Sequence, residues 1–425
     1  MHSNEESVKS LKCKKPNPVL YRILMVVMKL LKYKQYGVEI TRKVDPNKYK
    51  GKPVIVVSNH ASRCDYLFVG FAMGGRPINF IAAQNEFLRD HLAFILRLMH
   101  VIPKKNFVPD LQTIRFSSKI IKQNGCVCLF PEGMNSISGA QQPVAIGTGK
   151  FLKHYGVPVL QVKIKGGFLT NPKFCLDERY GKICVELDEL FTPEQLSQMS
   201  EEEIETKLNE ANYHNDYEWN KAARNKYDCH GHPAHNLHQL LYRCPKCGTE
   251  FHMKGEGYEI KCLACGNGAT LDDTYDFKPL PGSEVPADPV RWFEDERRFV
   301  RKQVEDESFT LREHVTLGAI PDDRYMKDMK NCETVGEGML TLDRRGLSFD
   351  GTRDNKEYHV FIASKNLPTV GMNLDVSFFY TYASGEFLQF TPDGETTVKW
   401  LQCIEEVHRV NGGKWQNFPF FDYEI

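Results

Sequence analysis

The sequence predicts an α/β domain with a mixed sheet flanked by helices, followed by a small four-cysteine ribbon and a C-terminal mostly-β domain closed by a helix. Three observations lead to this prediction. Short apolar, strand-like runs alternate with helical segments in the first half of the chain. Two Cys-x-x-Cys pairs follow. From about residue 309 onward, runs of alternating polarity separated by turns precede one amphipathic segment.

The length and composition set outer limits on what the chain can be. At 425 residues it is long enough for two or three domains, and 41% hydrophobic with 26% charged residues is typical of globular proteins. The formal net charge is zero, so the chain has no overall attraction to nucleic acid, and we expect no nucleic-acid partner. The odd total of 13 cysteines argues against a disulfide framework and for a reducing compartment.

Shifts in pattern along the chain predict six segments. They are a basic and apolar N-terminal helix, an α/β domain, a helical connector, a cysteine ribbon, a proline-rich linker with a helix, and a β-rich domain with a C-terminal helix. Their predicted boundaries are 1–37, 38–190, 191–235, 236–278, 279–307 and 308–425.

The N-terminal segment has the pattern of a helix that lies at a membrane surface. From Lys9 to Lys34 there are eight basic and no acidic residues, and they flank an apolar run that follows Pro18. The alternative is a helix that packs on the next domain with its lysines in water. The run is too short to span a bilayer and lacks a small-residue cleavage site, so we expect no secretory signal. No later segment has eighteen uninterrupted apolar residues, so we expect no transmembrane helix and a peripheral position on the cytoplasmic face of a membrane.

His60 and Asp65 form the first candidate catalytic pair. They follow the apolar run Val54–Val57, and a carboxylate can orient an imidazole so that its other nitrogen removes a proton from a hydroxyl. On a regular helix, residues five apart lie about 140° from each other around the axis. The two side chains therefore meet only if His60 precedes the helix, with Ser62 as its N-cap and Asp65 in its first turn. The alternative is a capping box, in which Asp65 binds only backbone N–H groups and His60 is structural.

Two further strand-like runs end in glycine-containing turns. The run Val127–Phe130 leads into Pro131-Glu132-Gly133, and a later run ends at Gly166-Gly167. An Asn-His-x-x-x-x-Asp motif followed some seventy residues later by Phe-Pro-Glu-Gly resembles the glycerophospholipid acyltransferase family, of the 1-acyl-sn-glycerol-3-phosphate acyltransferase type. The resemblance extends over about residues 40 to 190.

The resemblance implies a reaction and roles for these residues. His60 would deprotonate the hydroxyl of a lysophospholipid, Asp65 would orient it, and the alkoxide would attack the thioester of acyl-CoA or acyl carrier protein. Glu132 matches the acceptor-binding glutamate of the family, and a backbone N–H at the Gly133 turn is a candidate oxyanion donor. With lysophosphatidic acid as the acceptor, the product would be phosphatidic acid. Asn59, within the first motif, is grouped with the substrate-binding candidates.

Basic residues are candidates for binding the phosphate of the acceptor. Lys104 and Lys105 occupy a position where the family has basic residues, and Arg115 is a further candidate. The alternative for all three is ordinary solvated surface charge.

The chain departs from the family at one informative point. The family has Thr-Arg after Pro-Glu-Gly, where this chain has Met134 and Asn135. A guanidinium that could bind phosphate through two hydrogen bonds is therefore missing there. The alternatives to lysophosphatidic acid are another lysolipid, a non-phosphate acceptor, or a non-catalytic lipid-binding adaptor. The acyl chain length, the choice of donor and the oligomeric state stay open.

Four of the 13 cysteines have the spacing of a zinc ribbon. The pairs Cys244–Cys247 and Cys262–Cys265 are separated by fourteen residues, and a glycine follows each pair. Four thiolates suit a tetrahedral Zn²⁺ site, and a site with no open position has a structural role. A redox dithiol is the alternative. The ribbon has no basic stripe, which argues against nucleic-acid binding.

The remaining candidates are weaker. Four histidines between the connector and the ribbon, at 230, 232, 235 and 238, fit no metal-ligand set, and a polar loop is the favoured interpretation. The successive hairpins and closing helix of the C-terminal domain resemble a pleckstrin-homology-like fold. This resemblance leaves lipid binding, partner binding and a scaffold role equally open.

Overall fold

The computed structural model describes residues 4–327 and 330–413. The chain forms two compact units. Among the described residues, the first contains 4–171, 180–219, 321–327 and 330–331, and the second contains 172–179, 220–320 and 332–413.

A seven-stranded mixed sheet forms the centre of the first unit. Its strands in chain order are β1 Val38–Arg42, β2 Val54–Ser58, β3 Asn79–Ala83, β4 Ile102–Lys104, β5 Cys126–Leu129, β6 Val159–Lys165 and β7 Ile183–Phe191. Their order in the sheet is β1-β7-β6-β2-β5-β3-β4. All neighbours are parallel except β6 and β7, which are antiparallel. The predicted mixed sheet is thereby confirmed.

Helices pack on both faces of this sheet. Up to residue 223 the helices are α1 Asn4–Lys9, α2 Pro18–Met28, α3 Asp65–Ala72, α4 Asp90–Leu98, α5 Leu111–Lys122, α6 Thr148–Tyr155, α7 Gly167–Thr170, α8 Pro193–Gln198, α9 Glu201–Asn212 and α10 Asp216–Ala223. Strand β2 is buried along its whole length, so its side chains alternate between two cores. Val54 and Val56 pack with α2 and α3, whereas Ile55 and Val57 pack with α5, α6, α8 and α9.

The helical connector belongs to the first unit as far as Trp219. Helices α8 and α9 begin where the sequence predicts them, because Thr192 and Ser200 each form a capping box with the residue three positions later. Leu196, Ile204 and Leu208 place one face of this helix pair in the core. The parallel strands β2, β5 and β6 end at one edge of the sheet, where the chain enters the loops that carry the candidate site residues.

The second unit contains a small antiparallel sheet around the cysteine pairs. Its strands are β8 Met253–Glu256, β9 Glu259–Cys262, β10 Gly268–Leu271 and β11 Phe277–Pro279, in the order β11-β10-β9-β8. The sequence predicts a strand over 249–253, but β8 begins only at Met253. The reason is that Phe251 has a φ of +57°, which interrupts the extended backbone just before Met253.

A second antiparallel sheet of seven strands follows in this unit. Its strands are β12 Thr310–Ala319, β13 Glu333–Asp343, β14 Gly346–Arg353, β15 Lys356–Ala363, β16 Gly371–Met372, β17 Phe379–Ala383 and β18 Glu386–Pro392. The C-terminal helix α12, Thr397–Val410, packs against this sheet and against helix α11, Pro289–Glu305. Strands β13, β14, β15, β17 and β18 overlap runs that the sequence predicts as strands, and α11 and α12 overlap the two predicted helices, whereas β12 and β16 were not predicted individually. The likeness to a pleckstrin-homology-like fold stays a prediction.

Within the described ranges, no helix is both long enough and apolar enough to cross a membrane.

Candidate active site and four-cysteine group

The structure brings His60 and Asp65 into direct contact. His60 lies in the loop after β2, Asp65 is the first residue of α3, and His60 Nδ1 is 2.8 Å from Asp65 Oδ2. The Asp65 carboxylate is fully buried, and it also accepts hydrogen bonds from Ser62 N–H (2.9 Å) and Ser62 Oγ (2.7 Å). A buried carboxylate that is bound on both oxygens holds the imidazole in one orientation.

The predicted cap of α3 differs from the observed one. Cys64, rather than Ser62, occupies the N-cap position, and its side chain makes no capping hydrogen bond. Ser62 lies two residues outside the helix because its backbone and hydroxyl both bind the Asp65 carboxylate. The same carboxylate therefore contacts both the His60 ring and the Ser62 N–H, so Asp65 does not bind backbone N–H groups alone. The catalytic role of the pair stays a prediction.

Two residues of the second motif contact the His60 loop. The ring of Phe130 stacks on the imidazole, with ring centroids 4.4 Å apart. Asn135 Nδ2 donates to Ser62 O at 2.7 Å and lies 3.1 Å from His60 Nδ1. Because the buried Asp65 requires a donor, Nδ1 carries the proton, and the main hydrogen bond of the Asn135 amide is the one to Ser62 O.

Glu132 links the loop after β2 to the loop after β5. Its Oε1 accepts from His60 N–H and its Oε2 from Gln142 N–H, both at 2.9 Å. Burial raises the pKa of this carboxyl to about 8, while the two backbone donors act in the opposite direction. Glu132 therefore positions the His60 backbone, and its contact with an acceptor stays a prediction.

Gly133 and Asn59 have contacts within the fold. Gly133 has a φ of +79°, and its N–H donates to Phe130 O at 3.1 Å. Both amide atoms of Asn59 bind the backbone of Ile164 on β6 at 2.8 Å. The Asn59 bonds join the end of β2 to β6 beside His60, and the Gly133 bond closes the turn after β5. The predicted substrate contacts of both residues stay predictions.

The three candidate phosphate-binding residues lie on or near β4 and α5. Lys104 Nζ donates to Lys105 O at 3.2 Å, and burial lowers the pKa of the Lys104 ammonium. Lys105 N–H donates to Asp110 Oδ2, and Arg115 is exposed on α5. In the described part of the chain, none of the three lines the cavity that His60 lines.

That cavity contains residues that sequence reasoning missed. Beside Asn59, His60 and Glu132 it is lined by Gln141 and by three residues at the end of the connector, namely Asn212, His214 and Asp216. The two oxygens of Asp216 accept Gly166 N–H at 2.7 Å and Phe168 N–H at 2.8 Å. The only local signal was a His-x-Asp pair, because its proximity to His60 arises from tertiary packing.

In the second unit, the four predicted cysteines form one cluster. The Sγ atoms of Cys244 and Cys265 are 3.6 Å apart, those of Cys247 and Cys262 are 3.8 Å apart, and all four lie within 4.8 Å of one another. A tetrahedral ion with Zn–S bonds of about 2.3 Å places its sulfurs about 3.8 Å apart. The donor set and its dimensions therefore fit a Zn²⁺ ion, and the group can hold a metal.

The neighbouring histidines have other partners. His230 Nε2 lies 3.0 Å from Glu178 O, His232 Nε2 lies 2.9 Å from Asp177 Oδ2, and His238 Nε2 lies 3.2 Å from Glu395 Oε2. Across the described residues, the four cysteines are the only group of three or more potential ligands close enough to share an ion. The structure thus supports the interpretation of the histidines as part of a polar loop.

Comparison with known proteins bears on the first unit. Residues 38–165 match the family model named Acyltransferase. The chain therefore contains an acyltransferase domain. His60, Asp65 and Glu132 all lie within these residues, so the geometry described above belongs to this domain.

Two individual proteins match parts of this chain. Over 130 residues the chain is 31% identical to a protein of Mycoplasma pneumoniae named "Probable 1-acyl-sn-glycerol-3-phosphate acyltransferase". The aligned region covers 29% of this chain and 48% of that protein. The chain thus spans about half the length of this curated relative. The crystal structure of the 1-acyl-sn-glycerophosphate (LPA) acyltransferase PlsC from Thermotoga maritima matches 46% of this chain and 91% of that chain, with 21% identity and a TM-score of 0.35.

Proposed function

We propose that this protein transfers a fatty acyl group from a thioester to the hydroxyl of a lysolipid acceptor. The observation that carries the proposal is the 2.8 Å contact between His60 Nδ1 and the buried Asp65 within the acyltransferase domain. With Nδ1 bound to Asp65, Nε2 is the ring nitrogen that can accept a proton.

The reaction follows from these roles. His60 Nε2 takes the proton of the acceptor hydroxyl while its oxygen attacks the thioester carbonyl, and a tetrahedral oxyanion forms. Collapse of this intermediate breaks the C–S bond, and the imidazolium returns its proton to the departing thiolate. The buried Asp65 stabilises the imidazolium between these two steps. A new ester and a free thiol are the products, so atoms and charge balance.

Lysophosphatidic acid is the first acceptor to test, and phosphatidic acid would be the product. The name of the Mycoplasma pneumoniae relative supports this choice, and acyl-CoA and acyl carrier protein are the two donors to compare.

The residues after Gly133 favour a second candidate, an acceptor that has no phosphate at this site. Met134 is buried and Asn135 binds the His60 loop, so neither supplies a cation where the family pattern has arginine.

We also propose that α2 attaches the enzyme peripherally to the cytoplasmic face of a membrane, from which a lipid acceptor can be drawn. Tyr21 and Met25 face the core. The large apolar side chains exposed on α2 and the turn that follows it are Val19, Ile23, Val26, Val27, Leu30 and Leu31. The segment from Lys9 to Lys34 has basic residues and no acidic ones, which favours binding to anionic headgroups.

We further propose that the four-cysteine group binds a structural Zn²⁺ ion, which would hold the ribbon together.

The test is acyl transfer by the purified full chain to lysophosphatidic acid in anionic vesicles. Acyl-CoA and acyl carrier protein serve as donors in parallel, and His60→Ala is compared with His154→Ala, an exposed histidine of the same unit. We expect turnover that falls by at least about a hundredfold in His60→Ala alone. Vesicle binding without consumption of either thioester would instead favour the lipid-binding adaptor.

A further inference from the structure

Two residues that line the cavity beside His60 carry buried polar atoms without partners in the described part of the chain. Asn212 is fully buried; its Oδ1 accepts from Gln161 Nε2 at 3.0 Å, but its Nδ2 has no hydrogen-bond partner within the described residues. Gln141 is also buried; its Nε2 donates to Asn209 Oδ1, and its Oε1 has no partner in the same part of the chain. Both residues line the cavity. An unpaired buried donor or acceptor is costly, so a group that hydrogen-bonds to these atoms would be stabilised there.

The size of the cavity limits what that group can be. Its volume is about 10 Å³, roughly the space that one water-sized group needs. The free atoms are one donor, Asn212 Nδ2, and one acceptor, Gln141 Oε1. A hydroxyl both accepts and donates, so its hydrogen-bonding capacity matches one donor and one acceptor.

The charges around the cavity disfavour a phosphate. Glu132 and Asp216 line it, and among the described lining residues there is no lysine or arginine. His214 also lines the cavity, but its Nε2 is bound to Asp216 Oδ1. A phosphate dianion would lose its hydration beside the Asp216 carboxylate without gaining a cation, whereas a neutral hydroxyl meets no such charge repulsion.

The segment that carries Asn212 and His214 is held in place by several contacts. Gln141 N–H donates to His214 O at 3.1 Å, and Asp216 N–H donates to Gly139 O at 2.9 Å. These bonds fasten the end of the connector to the loop after β5, which in turn reaches His60 through Ser136 N–H and His60 O at 2.7 Å. The cavity is therefore formed by two separate parts of the chain, and one of them, the end of the connector, lies outside residues 38–165.

We propose that this cavity binds a second hydroxyl of the acceptor, adjacent to the one that is acylated, and that the preferred acceptors are vicinal diols. The proposal rests on the acyl transfer proposed above and selects among its acceptors. A monoacylglycerol and a glycerol phosphate ester with two free hydroxyls both belong to this class. Lysophosphatidic acid, which has a single hydroxyl, does not.

The experiment compares two acceptors that differ by one hydroxyl. The purified full chain acylates 1-acylglycerol or 1-acyl-1,2-propanediol in mixed micelles with the same acyl-CoA, and lysophosphatidic acid is a third arm. We expect kcat/KM for the diol to exceed that for the propanediol ester by about tenfold, the effect of one buried hydrogen bond. Equal values would mean that the cavity holds only a water molecule, and the proposal would be overturned.

Variants connect the preference to the cavity. Asn212→Asp keeps the oxygen that binds Gln161 and replaces only the unpaired Nδ2, so the ratio of the two kcat/KM values should fall toward one. Gln141→Met removes the unpaired oxygen from the other side and should act in the same direction. The control is Asn171→Asp, at a buried asparagine outside the cavity lining whose amide binds its own turn at Thr170 O. A ratio unchanged in Asn212→Asp and Gln141→Met would overturn the proposal.

Equilibrium binding separates this proposal from the proposed function. Binding of the same two acceptors to micelle-dispersed wild-type protein and to Asn212→Asp requires no turnover. If no thioester is consumed but the diol still binds more tightly in an Asn212-dependent way, acyl transfer fails and the hydroxyl site stands. If turnover occurs and neither binding nor kcat/KM depends on the second hydroxyl, the site fails and acyl transfer stands.

Discussion

His60 Nδ1 lies 2.8 Å from Asp65 Oδ2, although the two residues would point in different directions on a regular helix. The contact forms because β2 ends at Ser58 and α3 begins only at Asp65, so His60 lies in the connecting loop. Glu132 holds the backbone of this loop on one side, and Ser136 N–H binds His60 O on the other. The orientation of the imidazole thus depends on residues from two separate motifs.

Ser62 is expected to act as a positioning residue for this pair. Its Oγ donates to Asp65 Oδ1 at 2.7 Å, so Ser62→Ala leaves that buried oxygen with one donor fewer and loosens the carboxylate that orients His60. We expect kcat for acyl transfer to fall about tenfold while KM for the donor stays within about twofold. Steady-state kinetics measures both, with Ser118→Ala, a half-buried serine on α5, as the control. An unchanged kcat, or a rise in KM alone, would contradict the role.

Glu132 is expected to make stability depend on pH. Burial raises its pKa from 4.5 to about 8, so between these values the folded protein keeps a proton that the unfolded chain has lost. Its contribution to stability is therefore fully present below about pH 4.5 and is lost as the pH rises through about 8. The free energy of unfolding should fall by up to about 1.4 kcal/mol per pH unit in this interval from this group alone.

Glu132→Gln tests this pH dependence. Gln cannot titrate, so the difference between the wild-type and variant free energies of unfolding should change between pH 5 and pH 8, as measured by urea titrations at each pH. Glu86→Gln, at a partly exposed glutamate of the same unit, is the control, and its difference from wild type should stay nearly constant. A constant difference for Glu132→Gln as well would mean that Glu132 is ionised throughout.

Zinc is expected to stabilise the ribbon of the second unit. The four Sγ atoms are spaced for a tetrahedral ion, and such an ion contributes directly to folding. Metal analysis of the purified chain should find about one zinc per chain, and Cys262→Ser should lower both the zinc content and the melting temperature. Cys184→Ser, at a half-buried cysteine on β7, should retain the metal. Full zinc content in Cys262→Ser would exclude this cluster as the site.

The exposed apolar face of α2 and its following turn is expected to bind anionic membranes. Ile23→Glu combined with Leu30→Glu places two charges where apolar side chains would enter the interface, so vesicle affinity should fall at least about tenfold. Sedimentation with vesicles containing an anionic lipid measures this. Leu30 is 79% exposed, and Leu111 on α5, at 80%, provides a matched control in Leu111→Glu. Equal losses in the two proteins would assign vesicle binding to some other feature of the chain.

Much of the architecture could be predicted because it depends on neighbours along the chain. The capping boxes at Thr192 and Ser200 locate the beginnings of α8 and α9, and the alternating pattern after residue 309 locates most of the C-terminal strands. Prediction from local sequence failed at two turns, where the hydrogen bonds or the backbone conformation differ from the expected pattern. Ser62 binds Asp65 instead of capping α3, and a strand predicted from Thr249 begins only at Met253, after the cysteine turn.

The sequence by itself determined the order of strands and motifs, the His60–Asp65 pair and the four-cysteine spacing, because each rests on residue types at short fixed intervals. Only the tertiary structure decided which groups meet around His60. It buried Glu132 between two backbone donors, and it brought Asn212 and His214 from the connector to the His60 cavity. The physical reason is that packing of α9 on the sheet sets these long-range distances, and no local pattern encodes them.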